Sequence, residues 1–400
     1  MKKRTTALML ALLLLLLPGC GVRAQELTKD IEPQALDTTT DLTAGGEAVT
    51  AFALSLLRSE RAATEGVLIS PVSVLNALGM VATAAGMSLN QLNDFLYTYR
   101  MSLPAACKSC AVSLANSAWV REDFRVEDDF LRSCVNYYGA EMYRSAFDGS
   151  LVTDLNRWVS QKTDGMIDRL LEQAPDVLTM LYMVNAACFD ARWDTPYTKA
   201  DLRTGLPFTA ANGTQQTADY MTGTENIYLS GNNVTGFVKP YDGGKYAFVA
   251  LLPDEGVTLA DYLENLTGEH LYKLITDHRS ADVQVSIPKF SAQSELELEE
   301  PLKDMGITAL FNVSTADLRG IGSAPSGNNL YVSSVLHKTY LELDESGTRA
   351  AAATVVEASA GAAPPSEDVK TVTLDRPFLY MIVDTHACVP LFMGTVTSME

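Results

Sequence analysis

The sequence predicts an α+β fold organised around large mixed or antiparallel β-sheets. Three observations lead there. Helical patterns dominate the first half of the 400 residues and strand patterns the second, without the strict βαβ alternation of a parallel sheet. Hydrophobic residues make up 47% and charged residues 20%, enough for a large core and too apolar for global disorder. No internal repeat is visible.

In chain order, the elements begin after a targeting segment. Lys2, Lys3 and Arg4 precede the apolar run Ala7 to Leu17. That run is too short for a bilayer, which needs roughly 20 apolar residues, and has the form of a secretory signal. It ends Leu17-Pro18-Gly19-Cys20, similar to a bacterial lipoprotein signal in which the cysteine becomes the lipidated N-terminus, although Pro18 is unusual there. Residues 1–19 are expected as a signal peptide. Residues 20–45, polar and rich in Thr, Asp and Gly, are expected as a flexible tether, and residues 46–400 as the folded domain. The protein is expected outside the cell, secreted or held at the surface by a lipid on Cys20.

Within the domain, Val49, Phe52, Ala53, Leu56 and Leu57 recur at helical spacing over Glu47 to Glu60. Ser70 as a cap and Pro71 in the first turn start a buried small-residue helix running to Ala85. Asp148 to Gln173 reads as one helix with Trp158, Ile167, Leu170 and Leu171 on its apolar side. Leu181 to Phe189 reads as a buried strand. Later strands are expected at Ala247–Leu252, Val283–Ile287, Val332–Leu336, Thr339–Leu343, Leu379–Val383 and Leu391–Val396.

Charge and motif content narrow the function. Thirty basic against 49 acidic residues give a net charge of −19, so phosphates are repelled and nucleic acid is not the expected partner. The cysteines are Cys20, Cys107, Cys110, Cys134, Cys188 and Cys388. Cys107-Lys108-Ser109-Cys110 has no second C-x-x-C and no histidine nearby in sequence, so it reads as a loop disulfide or idle thiols. There is no H-E-x-x-H, G-x-S-x-G or Walker loop, and His270, His278, His337 and His386 form no ligand pattern. No cofactor, no metal and no enzymatic activity are expected.

The unusual segment spans residues 345 to 376. About thirty residues separate the strand ending at Leu343 from the one beginning at Leu379, and connections of that length inside a domain are functional or disordered. Proline is absent from Glu345 to Ala363, so the first half is compatible with a central strand. With period two, one face carries Thr348, Ala350, Ala352, Thr354, Val356 and Ala358, all small and uncharged; the other carries Arg349, Ala351, Ala353, Val355, Glu357 and Ser359, including both charges. A strand written to bury one face, placed in a long connection, has two compatible environments and suggests a switch.

Val335-Leu336-His337-Lys338, Glu342-Leu343-Asp344-Glu345-Ser346-Gly347-Thr348 and the small-residue run after it resemble the hinge of a serpin, a serine protease inhibitor. Asp375-Arg376-Pro377-Phe378 and Leu391-Phe392-Met393-Gly394 resemble the family's C-terminal signature. Upstream, Ser70-Pro71-Val72-Ser73, Leu114 to Trp119, Asn156-Arg157-Trp158-Val159, Val184-Asn185-Ala186 with Phe189 and Trp193, Lys239-Pro240-Tyr241, Leu251-Leu252-Pro253 and Ile287-Pro288-Lys289-Phe290 follow in the family's order. The resemblance implies one domain with three β-sheets, about nine helices and an exposed reactive-centre loop. It implies a monomeric suicide substrate: a target serine protease forms an acyl-enzyme with the loop, which then inserts into the central sheet and traps it. At roughly 1 kcal/mol net per hydrogen bond, a dozen or more new bonds are a large driving force.

The resemblance also assigns residues. Ser70, Ser73, Asn185 and His337 match the polar shutter beneath the point where the sheet opens, and Trp193 matches the residue near which the loop enters. The hinge corresponds to Glu345, Gly347, Thr348, Ala350, Ala351, Ala352 and Ala353; Arg349 departs from the family's usual Glu but falls on the exposed face. Family spacing from Gly347 puts the bait bond at Gly361-Ala362, or at Ala360-Gly361 in a loop one residue shorter. The loop is about five residues longer than is common, so Ala360, Gly361 and Ala362 all stay candidates. Small residues there suit elastase-like or subtilisin-like pockets. A non-inhibitory carrier or chaperone, or an inhibitor of cysteine proteases, remains an alternative.

Overall fold

A computed structural model describes residues 24–348 and 369–399, apart from positions 39, 60, 86–88, 104–111, 177–178, 313 and 324–330. An eight-stranded sheet runs in the order β1 (Gln25–Glu26), β5 (Glu141–Ser145), β3 (Val112–Arg121), β6 (Leu181–Phe189), β15 (Ser334–Leu343), β16 (Gly347–Thr348) and β7 (Ala191–Arg192), with β13 (Phe290–Glu297) also paired to β15. A nine-stranded sheet runs β17 (Lys370–Thr373), β12 (Arg279–Pro288), β9 (Gln215–Gly231), β10 (Val234–Pro240), β11 (Tyr246–Pro253), β18 (Phe378–Asp384), β19 (Val389–Val396) and β2 (Leu68–Ile69), with β8 (Leu202–Thr209) on β9. The third sheet is the two-residue ribbon of β4 (Arg125–Val126) and β14 (Gly322–Ser323). Eight α-helices occur among the described residues: α1 (Leu42–Ser59), α2 (Pro71–Ala84), α3 (Asn90–Ser102), α4 (Asp128–Ser133), α5 (Gly149–Lys162), α6 (Leu259–Asn265), α7 (Gly268–Thr276) and α8 (Glu299–Asp304).

The first sheet is covered on both faces. α2 packs between β6 and β19, and every residue in it except Thr83 is buried, which explains its small side chains. α5 lies across the opposite face, where Leu151, Leu155 and Trp158 pack against Trp119 of β3, Tyr143 of β5, Val184 of β6 and Leu336 of β15. β6 therefore alternates between two cores, Met183 and Ala187 toward one and Val184 and Ala186 toward the other, and its run of apolar residues is what double-sided burial requires.

Three expectations are corrected. Residues 332–343 hold one strand, β15, rather than two. The helix expected to reach Gln173 ends at Lys162, because Asp164 and Gly165 adopt left-handed φ of +49° and +74°. Beyond that break the Asn156 side chain accepts the N–H groups of Leu170 and Leu171 at 2.7 and 2.9 Å, so Ile167 and Leu170 reach the same core from non-helical chain. Residues 24–31 of the expected tether are docked on the domain. Gln25 and Glu26 pair with Arg144 and Tyr143, Thr28 Oγ1 accepts Met142 N–H, and Leu27 and Ile31 pack on the core; composition had hidden these two apolar side chains among polar ones.

Candidate functional site

The site is the seam between β6 and β15 together with the mouth above it. The two strands are parallel neighbours paired from Ser334↔Tyr182 to Tyr340↔Cys188, and at mid-length His337 lies opposite Asn185. α2 brings Ser70 and Ser73 beneath them, and all four residues are fully buried. Ser70 caps α2 only by its extended backbone; its hydroxyl makes no cap bond. Its N–H instead donates to His337 Nε2 at 3.0 Å, which leaves the neutral ring's proton on Nδ1. Burial pushes the His337 pKa down to about 3. Asn185 Nδ2 donates to Asn116 Oδ1 at 2.7 Å. Ser70 Oγ, Ser73 Oγ, Asn185 Oδ1 and His337 Nδ1 find no hydrogen-bond partner. Four buried polar atoms thus sit together at the middle of the seam, where a further strand carrying hydroxyl or amide groups could bond them.

At the mouth the chain leaving β15 folds back into the sheet. Asp344 Oδ1 accepts the N–H groups of Ser346 and Gly347 at 2.7 and 3.2 Å. Gly347 takes φ +156°, and a Cβ there would meet Ala191 O at 2.1 Å, so glycine is required. Gly347 then pairs with Arg192, and Thr348 lies between Leu343 of β15 and Ala191 of β7. Thr348 is fully buried, with its hydroxyl 2.6 Å from Tyr241 Oη. Trp193 stacks on Tyr241 with centroids 4.4 Å apart and donates from N to Ser346 O and from Nε1 to Asp344 O. Lys289 pairs with Glu345 and holds that carboxyl below the usual range. Behind Trp193, Lys239 Nζ donates to Glu225 at 2.7 Å and lies over the rings of Tyr197 and Trp193; burial outweighs that bond and raises the Glu225 pKa.

The structure thus brings together Ser70, Ser73, Asn185 and His337 at the seam, and Trp193, Glu345, Gly347 and Thr348 at the mouth. Cys20, Arg349, Ala350, Ala351, Ala352, Ala353, Ala360, Gly361 and Ala362 lie outside the described residues. Sequence reasoning missed Glu225, and it picked out the segments holding Asn116, Lys239 and Tyr241 without giving those residues a role at the site. Asn116 and Asn185 are 69 positions apart, and Tyr241 and Thr348 are 107 apart, so no local pattern connects them.

A family profile described as "Serpin (serine protease inhibitor)" matches residues 47–399. Iripin-5 of Ixodes ricinus is 31% identical over 373 residues, covering 86% of this chain and 92% of that protein. Human leukocyte elastase inhibitor is 29% identical, covering 87% and 98%. Among solved structures, the thermophilic serpin tengpin in its native state is 37% identical with a TM-score of 0.88, covering 94% of this chain and all of that one. The same protein in its latent state gives a TM-score of 0.76. With three sheets and a family match over most of its length, the chain belongs to the serpin family, whose inhibitory members act on proteases without being catalysts themselves.

Proposed function

We propose that this serpin inhibits serine endopeptidases as a suicide substrate, with residues 349–358 inserting between β6 and β15 after cleavage in the loop. The observation that carries the reading is the register already set at the mouth. Thr348 pairs with Leu343 on one side and Ala191 on the other, and these two pairings agree with the β6–β15 register. After cleavage, the same register continued inward would bring Thr354 between Asn185 and His337. Ala350 would then fall beside Leu341 and Phe189, and Ala352 beside Thr339 and Ala187, where small side chains suit a covered core. Insertion breaks the seven-pair β6–β15 ladder and forms two in its place, so the net gain is about one ladder, several kcal/mol at roughly 1 kcal/mol per bond.

The acyl-enzyme chemistry belongs to the target. Ala358 to Ala363 are small and uncharged, which favours elastase-like or subtilisin-like targets. The signal-like start supports a place outside the cell, with membrane contact only through a lipid on Cys20. Incubation of the mature protein with elastase, subtilisin and trypsin tests the whole reading: SDS-stable complexes with the first two, cut between residues 358 and 363, are expected. Cleavage of the chain by all three without any stable complex would leave it a non-inhibitory member.

A further inference from the structure

We infer that Lys239 is a positioning residue for inhibition: from beneath the mouth it fastens a strap, residues 193–197, onto the turn 344–346, and so keeps Thr348 paired in the sheet. The inference rests on the insertion reading above, because a seated hinge matters only to a loop that inserts. The strap follows β7 and crosses the turn between β15 and β16. Trp193 N donates to Ser346 O at 3.0 Å, Tyr197 N to Glu345 O at 2.9 Å and Trp193 Nε1 to Asp344 O at 2.9 Å, so one segment holds three successive carbonyls of the turn. β16 follows directly and has two residues, too few to hold a strand in place by themselves. Its place in the sheet is therefore set by the turn, and the turn by the strap. Asp194, Thr195 and Pro196 are exposed, so the strap's support comes from below. Lys239 reaches up from β10, donates from Nζ to Thr195 O at 3.2 Å, and lies 4.4 Å from the ring centroid of Tyr197 and 5.2 Å from that of Trp193. One ammonium thus touches the start, the middle and the end of the strap.

The contacts explain why this residue is charged. An apolar side chain would fill the space but could not bond a carbonyl and face two rings at once. The Lys239 side chain is only 3% exposed, and Glu225, 2.7 Å away, is the counter-charge that makes its burial tolerable. A buried pair of this kind adds little net stability, so its use lies in geometry. Glu225 sits on β9, and two positions earlier Gly223 opens the space for the Tyr197 ring: a Cβ there would meet Tyr197 Cε1 at 2.9 Å. Two strands of the second sheet are thus fitted to a strap whose bonds go to the hinge of the first.

The test removes the charge pair without stranding either partner. Lys239→Met combined with Glu225→Leu keeps both volumes, and exchanging a buried ion pair for apolar groups of similar size leaves stability near its original value. In the intact double variant, amide exchange over residues 193–197 and 344–348 should rise at least about tenfold, the effect of charge-assisted bonds on local opening. Exchange elsewhere and the denaturation midpoint should stay as in wild type. Against elastase, the stoichiometry of inhibition should rise about fivefold, as for one hydrogen bond lost from the insertion side of the competition. The rate of acylation should not change, because the bait segment is untouched. Unchanged exchange in the two segments would sink the anchoring role, and exchange that rises everywhere with a lower midpoint would make Lys239 an ordinary core residue. Faster local exchange with wild-type stoichiometry would show that seating the hinge does not serve insertion. Should wild type trap no protease at all, the inhibitory reading fails and the role in insertion with it, and exchange alone then decides whether Lys239 anchors the hinge.

Discussion

Thr348→Arg puts the insertion mechanism under the most direct strain. In the native form Thr348 is fully buried between β15 and β7, and its hydroxyl meets Tyr241, itself fully buried and stacked on Trp193. Replacement removes one hydrogen bond, worth about 1 kcal/mol, and asks a guanidinium to replace it in a pocket walled by aromatic rings. An unpaired charge in such a place costs several kcal/mol, more than a two-residue strand contributes. β16 should therefore leave the sheet, and each further step of insertion begins from a displaced hinge. Insertion competes with hydrolysis of the acyl-enzyme, and every 1.4 kcal/mol added to its barrier shifts that competition tenfold. A rise of about 3 kcal/mol would turn a trap into a substrate. The assay is titration of elastase with wild type and variant, scored for SDS-stable complex against cleaved serpin. Tyr241→Phe, which loses only the hydrogen bond, should retain most inhibition. A Thr348→Arg protein that traps elastase with unchanged stoichiometry would refute the reasoning.

Three other outcomes are expected. Cleavage within residues 358–363 should raise the denaturation midpoint, whereas a nick in an ordinary domain lowers it; calorimetry of intact and cleaved samples decides. Ala360→Arg, Gly361→Arg and Ala362→Arg, made singly, should move inhibition toward trypsin at one position only, and that position marks the bait bond; equal effects at all three would show a bond elsewhere. His337 stays neutral in the fold down to about pH 3, while its unfolded counterpart protonates below about 6.5. The native state should thus keep its full stability above about pH 6.5 and lose roughly 1.4 kcal/mol per pH unit as pH falls from there toward 3. Urea titrations from pH 7 to 4 should show this slope in wild type and its loss in His337→Gln.

What the sequence determined by itself was whatever depends on short-range pattern. Leu181 to Phe189 has the bounds read from its apolar run, because a strand covered on both faces needs no polar interruption. Thr348, the one described residue of the two-faced run after Gly347, falls on the side that period two assigns to burial. Tertiary structure decided the rest. His337 and Lys338 looked like a break between two strands because polar residues are ordinarily taken as exposed. In the fold His337 receives Ser70 N–H and Lys338 Nζ bonds Glu295 and Arg169 O, so β15 continues through both. Residues 24–31 read as tether because their three apolar side chains, Ala24, Leu27 and Ile31, are too few to form a core, yet enough to dock on cores already built. The mouth and the shutter join segments tens to hundreds of positions apart, and the pairing of Thr348 with Tyr241, or of Asn185 with Asn116, exists only once two sheets and α2 have closed around them. Burial creates those partnerships by removing water as the alternative partner, and local sequence carries no record of which distant group will replace it.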